Sequence, residues 1–451
     1  MLQPITGPPG VSAQLAQLLR RPVGGQERER ACWHLLDWFG CAAAGTASEA
    51  AARLRAWAAN AAPQECGLLT GGAASLSTAL MVNGALGNTL EMDDVHRAAV
   101  LHPGPVVMPA ALALAQRSGA TPAALLDAIV RGYEAMIRVG SAVGPAHARY
   151  WHNTATCGPF GAAAAAASLL ALDARQTVHA LGNAGTQAAG LWQMRHEDTD
   201  TKQLHTGHAA LVGVTAAELA QHGFRGSQKI FEGPQGFFAA MCGGASAQPI
   251  VSAPDAPWKI AEVSFKPWPA CRHVHAAIDC ALALRAQVNA AEIAEVTVRT
   301  YAAAVTFCDQ PLPRTALDAK FSFQHAMAVV LLDGAPSLDM FEPAAIHDPA
   351  IAALRAKVQV EEDGGYTSAY PNHFGSGVLL TTHAGEHHEQ HYADALGDTE
   401  RPVTIPQLEQ KARTLMAYGG WSEAKAANLV AAIQGLPDAQ DCSALWRAMR
   451  T

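Results

Sequence analysis

Apolar positions recur at three- and four-residue spacing through most of the first 260 residues, the signature of amphipathic helices. In ERERACWHLLDWFGCAAAG, Cys32, Leu35, Leu36 and Phe39 share one face. SEAAARLRAWAANAA opens on a serine cap signal, and TPAALLDAIVRGYEAMIRVGSAV opens on Thr-Pro with Pro122 in its first turn. GPFGAAAAAASLLALD and ARQTVHALGNAGTQAAG predict a further pair, and HTGHAALVGVTAAELAQHGF predicts a helix stopped at Gly223.

Near residue 260 the period changes. IAEVTVRTY alternates, with Val296 and Val298 on one side and Thr297 and Arg299 on the other, which predicts a strand. AKVQVEED predicts another strand, and SGVLLTTHAGEHHEQHY predicts two joined by a turn at Gly385. Helical stretches, CRHVHAAIDCALALRAQV and SFQHAMAVVLLDG, lie between them. After RPVTIPQ the helical period returns in LEQKARTLMAYGG and SEAKAANLVAAIQGL. The expected fold class is therefore mainly α. A large all-helical domain is built from both chain ends, residues 1–262 and 396–451, and a smaller α+β domain over 263–395 is inserted in it.

Composition sharpens this picture. Half of the 451 residues are apolar and only 16% are charged, so a large core can form. Alanine dominates, favouring helices that approach closely. The net charge is −8 and no basic run occurs, which argues against a nucleic-acid partner. Nine scattered cysteines without a CxxC predict reduced thiols and a cytoplasmic protein. The N-terminus shows no secretory pattern. The longest apolar run, Phe160 to Leu172, falls short of a membrane span, so no membrane association is expected.

Against this background, ionisable groups gather in four places. LEMDDVHRAAVLHPG holds Glu91, Asp93, Asp94, His96, Arg97 and His102 between two apolar helices. Buried carboxylates and histidines shift in pKa, which acid–base chemistry uses; a polar surface loop is the plainer alternative. YWHNTATCGPFG places His152, Thr154, Thr156 and Cys157 before an alanine-rich helix, whose N-terminus suits a carboxylate. Ordinary threonine capping explains the same pattern. TDTKQLHTGHAA sets Lys202 beside His205 and His208. FKPWPACRHVHAAID crowds Lys266, Arg272, His273 and His275 around two prolines, a rigid basic turn able to clamp carboxylates or to serve as a hinge.

Two motifs are weaker. GEHHEQHY aligns His387, Glu389 and His391 on one strand face, but no fourth ligand is evident, and no metal is expected. GGAASLSTAL lacks the Gly-Lys-Ser/Thr ending of a phosphate loop. With no dinucleotide motif and no nucleophile elbow, the residues point to a small carboxylate handled by acid–base chemistry without a cofactor.

Five stretches in order, VNGALGNTLEMDDVHRAAVLHPG, HNTATCGPFGAAAAAASLLALD, TKQLHTGHAA, FKPWPACRHVHAAID and AKFSFQHAMAVVLLDG, resemble the MmgE/PrpD family of dehydratases, decarboxylases and epimerases across nearly the whole chain. The resemblance implies a helical domain, an α+β lid domain, a homodimer and no cofactor. It implies a lyase acting on a small di- or tricarboxylate by dehydration or decarboxylation. An epimerase of a dicarboxylate such as iminodisuccinate and a non-catalytic carboxylate-binding protein are the alternatives. It places His102, His152, Lys202, Lys266, Asp93 and Asp94 in catalysis: the histidines as the acid–base pair, the lysines as charge stabilisers, the aspartates as orienting or binding groups. Glu91, His96, Thr156, Cys271, Arg272, His275 and His325 complete the substrate-binding set. Four positions depart from the decarboxylase branch: Glu91 stands for an aspartate, Val95 for a threonine, Cys271 for a histidine and His325 for a tyrosine. They argue against the decarboxylase's own substrate while leaving the scaffold intact.

Overall fold

The computed structural model describes residues 9–59, 65–197 and 199–450. The residues 1–8 used in reading the N-terminus, and the end of the predicted helix at 60–62, lie outside them. The described chain is mainly α and divides into two compact units. One holds the residues up to Thr89, Ala99–Val263 and those from Ile405 onward; the other holds Leu90–Ala98 and Ser264–Thr404.

The first unit is a helical assembly whose starts are capped as the sequence suggests. Ser48 accepts from the Ala51 amide at 3.1 Å, and Thr121 from the Ala124 amide at 3.3 Å. Asp173 and Gln176 form a reciprocal capping box. Its centre is the buried helix Asn153–Leu169, packed between Pro122–Ala142 and Thr201–Gln221. Small residues set these spacings. A Cβ on Gly158 would lie 2.8 Å from Ala209 Cβ, and one on Gly213 would lie 2.6 Å from the Ala163 amide nitrogen. The two contacts advance in the same direction along both helices. Asn153–Leu169 and Thr201–Gln221 therefore run parallel, and their N-terminal turns lie at the same end.

The late helix Ile405–Tyr418 packs on Gly25–Gly45 in this unit. A Cβ on Gly40 would come within 2.9 Å of Ala412 Cα, and the Lys411 ammonium is 2.6 Å from Asp37. The stretch expected to be wholly helical also contains a minimal antiparallel pair, β1 (Cys66–Gly67) and β2 (Ala73–Ala74). Strands of two residues are too short to show a period in sequence.

The second unit is built on four strands, β3 (Ile293–Thr300), β4 (Val358–Glu362), β5 (Ser376–Thr382) and β6 (His387–Tyr392), in the sheet order β4–β3–β5–β6. β3 pairs in parallel with β4, matching Val296 to Val358. It pairs antiparallel with β5, matching Val296 to Leu380. β6 follows β5 through a turn where Gly385 takes φ +82°. Val296, Val298, Val378 and Leu380 are fully buried in the same core cluster as the helices His275–Arg285 and Phe323–Asp333. Arg299 instead pairs with Glu361 and Glu389 on the polar side.

Candidate active site

In the first unit, histidines gather where the two parallel helices begin. His152 is the N-cap residue of Asn153–Leu169 and is 2% exposed. Its amide donates to Gly190 O at 2.9 Å, and the Trp192 amide donates to Tyr150 O at 2.9 Å. This bridge sets the Trp192 ring over His152, with centroids 4.5 Å apart. Gly190 is required here: it takes φ +135°, and an added Cβ would collide with Ala155. On the other side, His152 Nδ1 is 3.2 Å from His205 Nδ1. His205 is pushed down to about 4 by burial, then by His208 and Lys202, and burial also lowers His208.

His102 stands beside the same helix start. Its amide donates to Thr154 Oγ1 at 3.0 Å, and Asn153 Nδ2 donates to Ala99 O at 2.9 Å. Both bonds pin the 99–103 loop, which then enters the helix Gly104–Ser118. Lys202 and His205 occupy the first turns of Thr201–Gln221, both half-buried. His102, His152, Lys202 and His205 are thus carried by adjacent helix starts and one loop.

Thr156 sits one turn further in. Its hydroxyl is 2.7 Å from His147 Nε2, while His147 Nδ1 is 3.1 Å from Met241 O. A carbonyl can only accept, so Nδ1 carries the His147 proton and Nε2 accepts from Thr156. Burial lowers the pKa of His147, which keeps that arrangement neutral. Thr156 is bound up in this internal contact.

In the second unit, the acidic stretch lies against the lysine-proline turn. Val95 and Ser264 exchange backbone hydrogen bonds at 3.0 and 2.8 Å, bringing segment 90–98 alongside 264–266. Lys266 is fully buried. Its ammonium is 3.6 Å from Glu91 Oε2 and 3.8 Å from Asp93 Oδ1, too far for hydrogen bonds, and it has no hydrogen-bond partner among the described residues. Glu91 is buried with φ +59°, a strained conformation for a residue with a side chain. Such strain concentrates at functional sites. Asp94 and His96 are buried in the same segment.

Arg97 fixes this segment. Its guanidinium is 2.6 Å from Asp394, 3.2 Å from Asp398 and 2.8 Å from Glu400. Asp398 also pairs with Arg272, which donates to His275 Nδ1 at 3.1 Å and to Leu396 O at 3.1 Å. Since a guanidinium only donates, His275 Nδ1 accepts and Nε2 donates to Ala270 O at 3.0 Å. His275 is therefore neutral and holds Arg272 in place. Arg272 Nε is buried without a hydrogen-bond partner among the described residues. Burial works to raise the Cys271 thiol, but bonds from Cys308 and the His273 backbone, with Lys266 nearby, bring it below its ordinary value.

His325 belongs elsewhere in that unit. It accepts from Arg355 at 3.3 Å through Nδ1 and donates to Met340 O at 2.7 Å through Nε2. Burial lowers its pKa. Its ring bonds to Arg355 and Met340 rather than to another candidate residue, and it braces Phe323–Asp333 in its neutral form. His387, Glu389 and His391 lie on the exposed side of β6. Among the described residues, the group spaced for a metal is His373, Asp394 and Glu400, and Arg97 already places its positive charge on both carboxylates.

Reasoning from sequence missed Arg97 as the anchor of segment 90–98, and Gly190 and Trp192 as the frame around His152. It noted His205 only as a neighbour of Lys202. The acids of ADALGDTE, residues 393–400, were the available signal for the Arg97 anchor.

Comparison with known families decides where the chain belongs. Residues 16–250 match the MmgE/PrpD N-terminal domain, and residues 268–434 match the MmgE/PrpD C-terminal domain. The chain belongs to the MmgE/PrpD family. A cis-aconitate decarboxylase of Homo sapiens is 27% identical over 388 residues, covering 82% of this chain and 79% of that protein. A cis-aconitate decarboxylase of Aspergillus terreus is 27% identical over 324 residues, 64% of this chain and 66% of that protein. A 2-methylcitrate dehydratase of Escherichia coli (strain K12) is 29% identical over 217 residues, 46% and 44% of the two chains. Decarboxylation and dehydration are both eliminations, and this MmgE/PrpD chain is an enzyme of the lyase class.

Proposed function

We propose that the chain is a cofactor-independent lyase that removes water or carbon dioxide from a small di- or tricarboxylate. The observation that carries this reading is the Lys266 ammonium, fully buried and without a hydrogen-bond partner among the described residues. Leaving a buried ammonium without hydrogen bonds is costly, and a ligand carboxylate supplies what it lacks. The relatives named above act on substrates of that chemistry.

In this reading a proton moves at a carbon beside a carboxylate. Negative charge then develops on that carboxylate, and Lys266 stabilises it. The family resemblance assigns the same stabilising role to Lys202, and assigns proton transfer to His152 and His102, since imidazole titrates closest to neutrality. Glu91 and Asp93 hold the Lys266 ammonium in position, and Arg272, fixed by Asp398 and His275, offers Nε as a further donor. The enzyme is further read as a cytoplasmic homodimer, its assembly to be measured by sedimentation.

The test is incubation with a panel of tri- and dicarboxylates in D2O, followed by NMR. The expected result is an unsaturated product from one of them. Deuterium incorporation without an unsaturated product identifies an epimerase instead. Binding without either change identifies a non-catalytic carboxylate-binding protein.

A further inference from the structure

We propose that His205 is a positioning residue that fixes the proton of His152 on Nδ1, making Nε2 the nitrogen that exchanges protons with substrate. The inference deepens the reading above and rests on its assignment of His152 to proton transfer.

The geometry supplies the argument. The two Nδ1 atoms are 3.2 Å apart, so one donates and the other accepts. If His205 donated, His152 would have to accept on Nδ1, and it could not become an imidazolium without breaking the bond. If His205 accepts, His152 keeps its Nδ1 proton throughout. Its Nε2 then gains and loses a proton with the pair intact. A residue that cycles between neutral and charged forms is served by the second arrangement.

That arrangement needs a neutral His205, and the surroundings keep it so. Among the described residues, the titratable and charged groups facing His205 are His152 from the neighbouring helix start and Lys202 and His208 from its own helix. Burial and the positive charge of Lys202 both oppose an added proton. The positive ends of two parallel helices act in the same direction. The pairing is built into the backbone. The Gly158–Ala209 and Gly213–Ala163 approaches set the relative register of the helices, and Gly190 holds the His152 amide.

The test is a long-range 1H–15N spectrum of the full chain labelled with 15N-histidine, taken at neutral pH. The His152 signals are assigned by their loss in His152→Asn. The expected wild-type pattern is a proton on Nδ1 and a bare Nε2. His205→Ala is expected to shift His152 towards the Nε2–H form and to lower the pH at which it titrates. His205→Asn, whose Oδ1 can accept in place of Nδ1, is expected to restore both. A wild-type His152 protonated on Nε2, or a His205→Ala protein with an unchanged tautomer, overturns the proposal, and the first result does not depend on a His205 variant folding. If the tautomers follow expectation but His152→Asn still exchanges substrate protons at the wild-type rate, the assignment of His152 to proton transfer fails instead.

Discussion

The Lys266 ammonium lies 3.6 Å from the Glu91 carboxylate, both groups buried, with no hydrogen bond joining them. Glu91 reaches that position only through a left-handed backbone, φ +59°. Replacing Glu91 with glycine would relax the backbone but remove the carboxylate. Glu91→Gln keeps the shape and removes the charge. Glu91→Gln is expected to slow turnover at least tenfold while leaving the fold intact. Steady-state kinetics and circular dichroism check the two parts.

Arg97 gives the clearest stability prediction. Arg97→Met strips the guanidinium from buried Asp394 and leaves Asp398 with Arg272 alone, and breaking a buried pair in this way costs about 3–5 kcal/mol. Arg97→Lys should recover only part of that loss, because an ammonium cannot span three carboxylates as the planar fork does. Urea denaturation of both variants measures it.

The parallel helix pair predicts a second cost. Gly213→Val forces a side chain against the Ala163 amide and Pro159 O, each 2.6 Å from the position of its Cβ. Overpacking of this kind costs about 1–3 kcal/mol. Backbone atoms cannot yield as side chains do, so the helices must separate. The expected signature is a lower thermal midpoint together with altered His152 and His205 resonances.

Stability should also fall in acid. His205 in the folded chain titrates at about 4, below its ordinary 6.5. The unfolded chain therefore takes up the proton first. The contribution from a neutral His205 is complete above pH 6.5 and is lost as the pH falls from there towards about 4. His147, His208 and His325 are shifted the same way by burial and add to the slope. Urea midpoints across that window should decline in the wild type and decline less in His205→Asn.

Local patterns were legible in the sequence, and long-range ones were not. The alternation of IAEVTVRTY gave β3, and Thr121-Pro122 gave a capped helix start. Both depend on neighbours along the chain. Val95 pairs with Ser264, and Arg97 with Asp394 and Glu400. Such partners lie hundreds of residues apart or nearly so, and no periodicity reports them. The candidate residues were legible as types, whereas their roles came from hydrogen-bond direction. His275 and His325 read as substrate-binding histidines in sequence, yet each accepts from an arginine and donates to a carbonyl.

Lys202 separates binding from folding. It is half-buried near the start of a helix, so Lys202→Met should leave the denaturation midpoint close to that of the wild type. If it neutralises a substrate carboxylate in both ground and transition states, the same change should raise KM and lower kcat. Normal kinetics in that variant would remove Lys202 from the site.

The most direct measurement follows deuterium at the carbon beside a carboxylate, by NMR in D2O, for wild type and His152→Asn on the substrate found in the panel. The wild type is expected to form an unsaturated product with solvent-derived hydrogen movement at that carbon. His152→Asn is expected to slow the reaction by about 10²-fold or more, the scale of general acid–base catalysis, while still binding the ligand. No reaction with any tri- or dicarboxylate, or an undiminished rate in His152→Asn, would contradict the proposed chemistry.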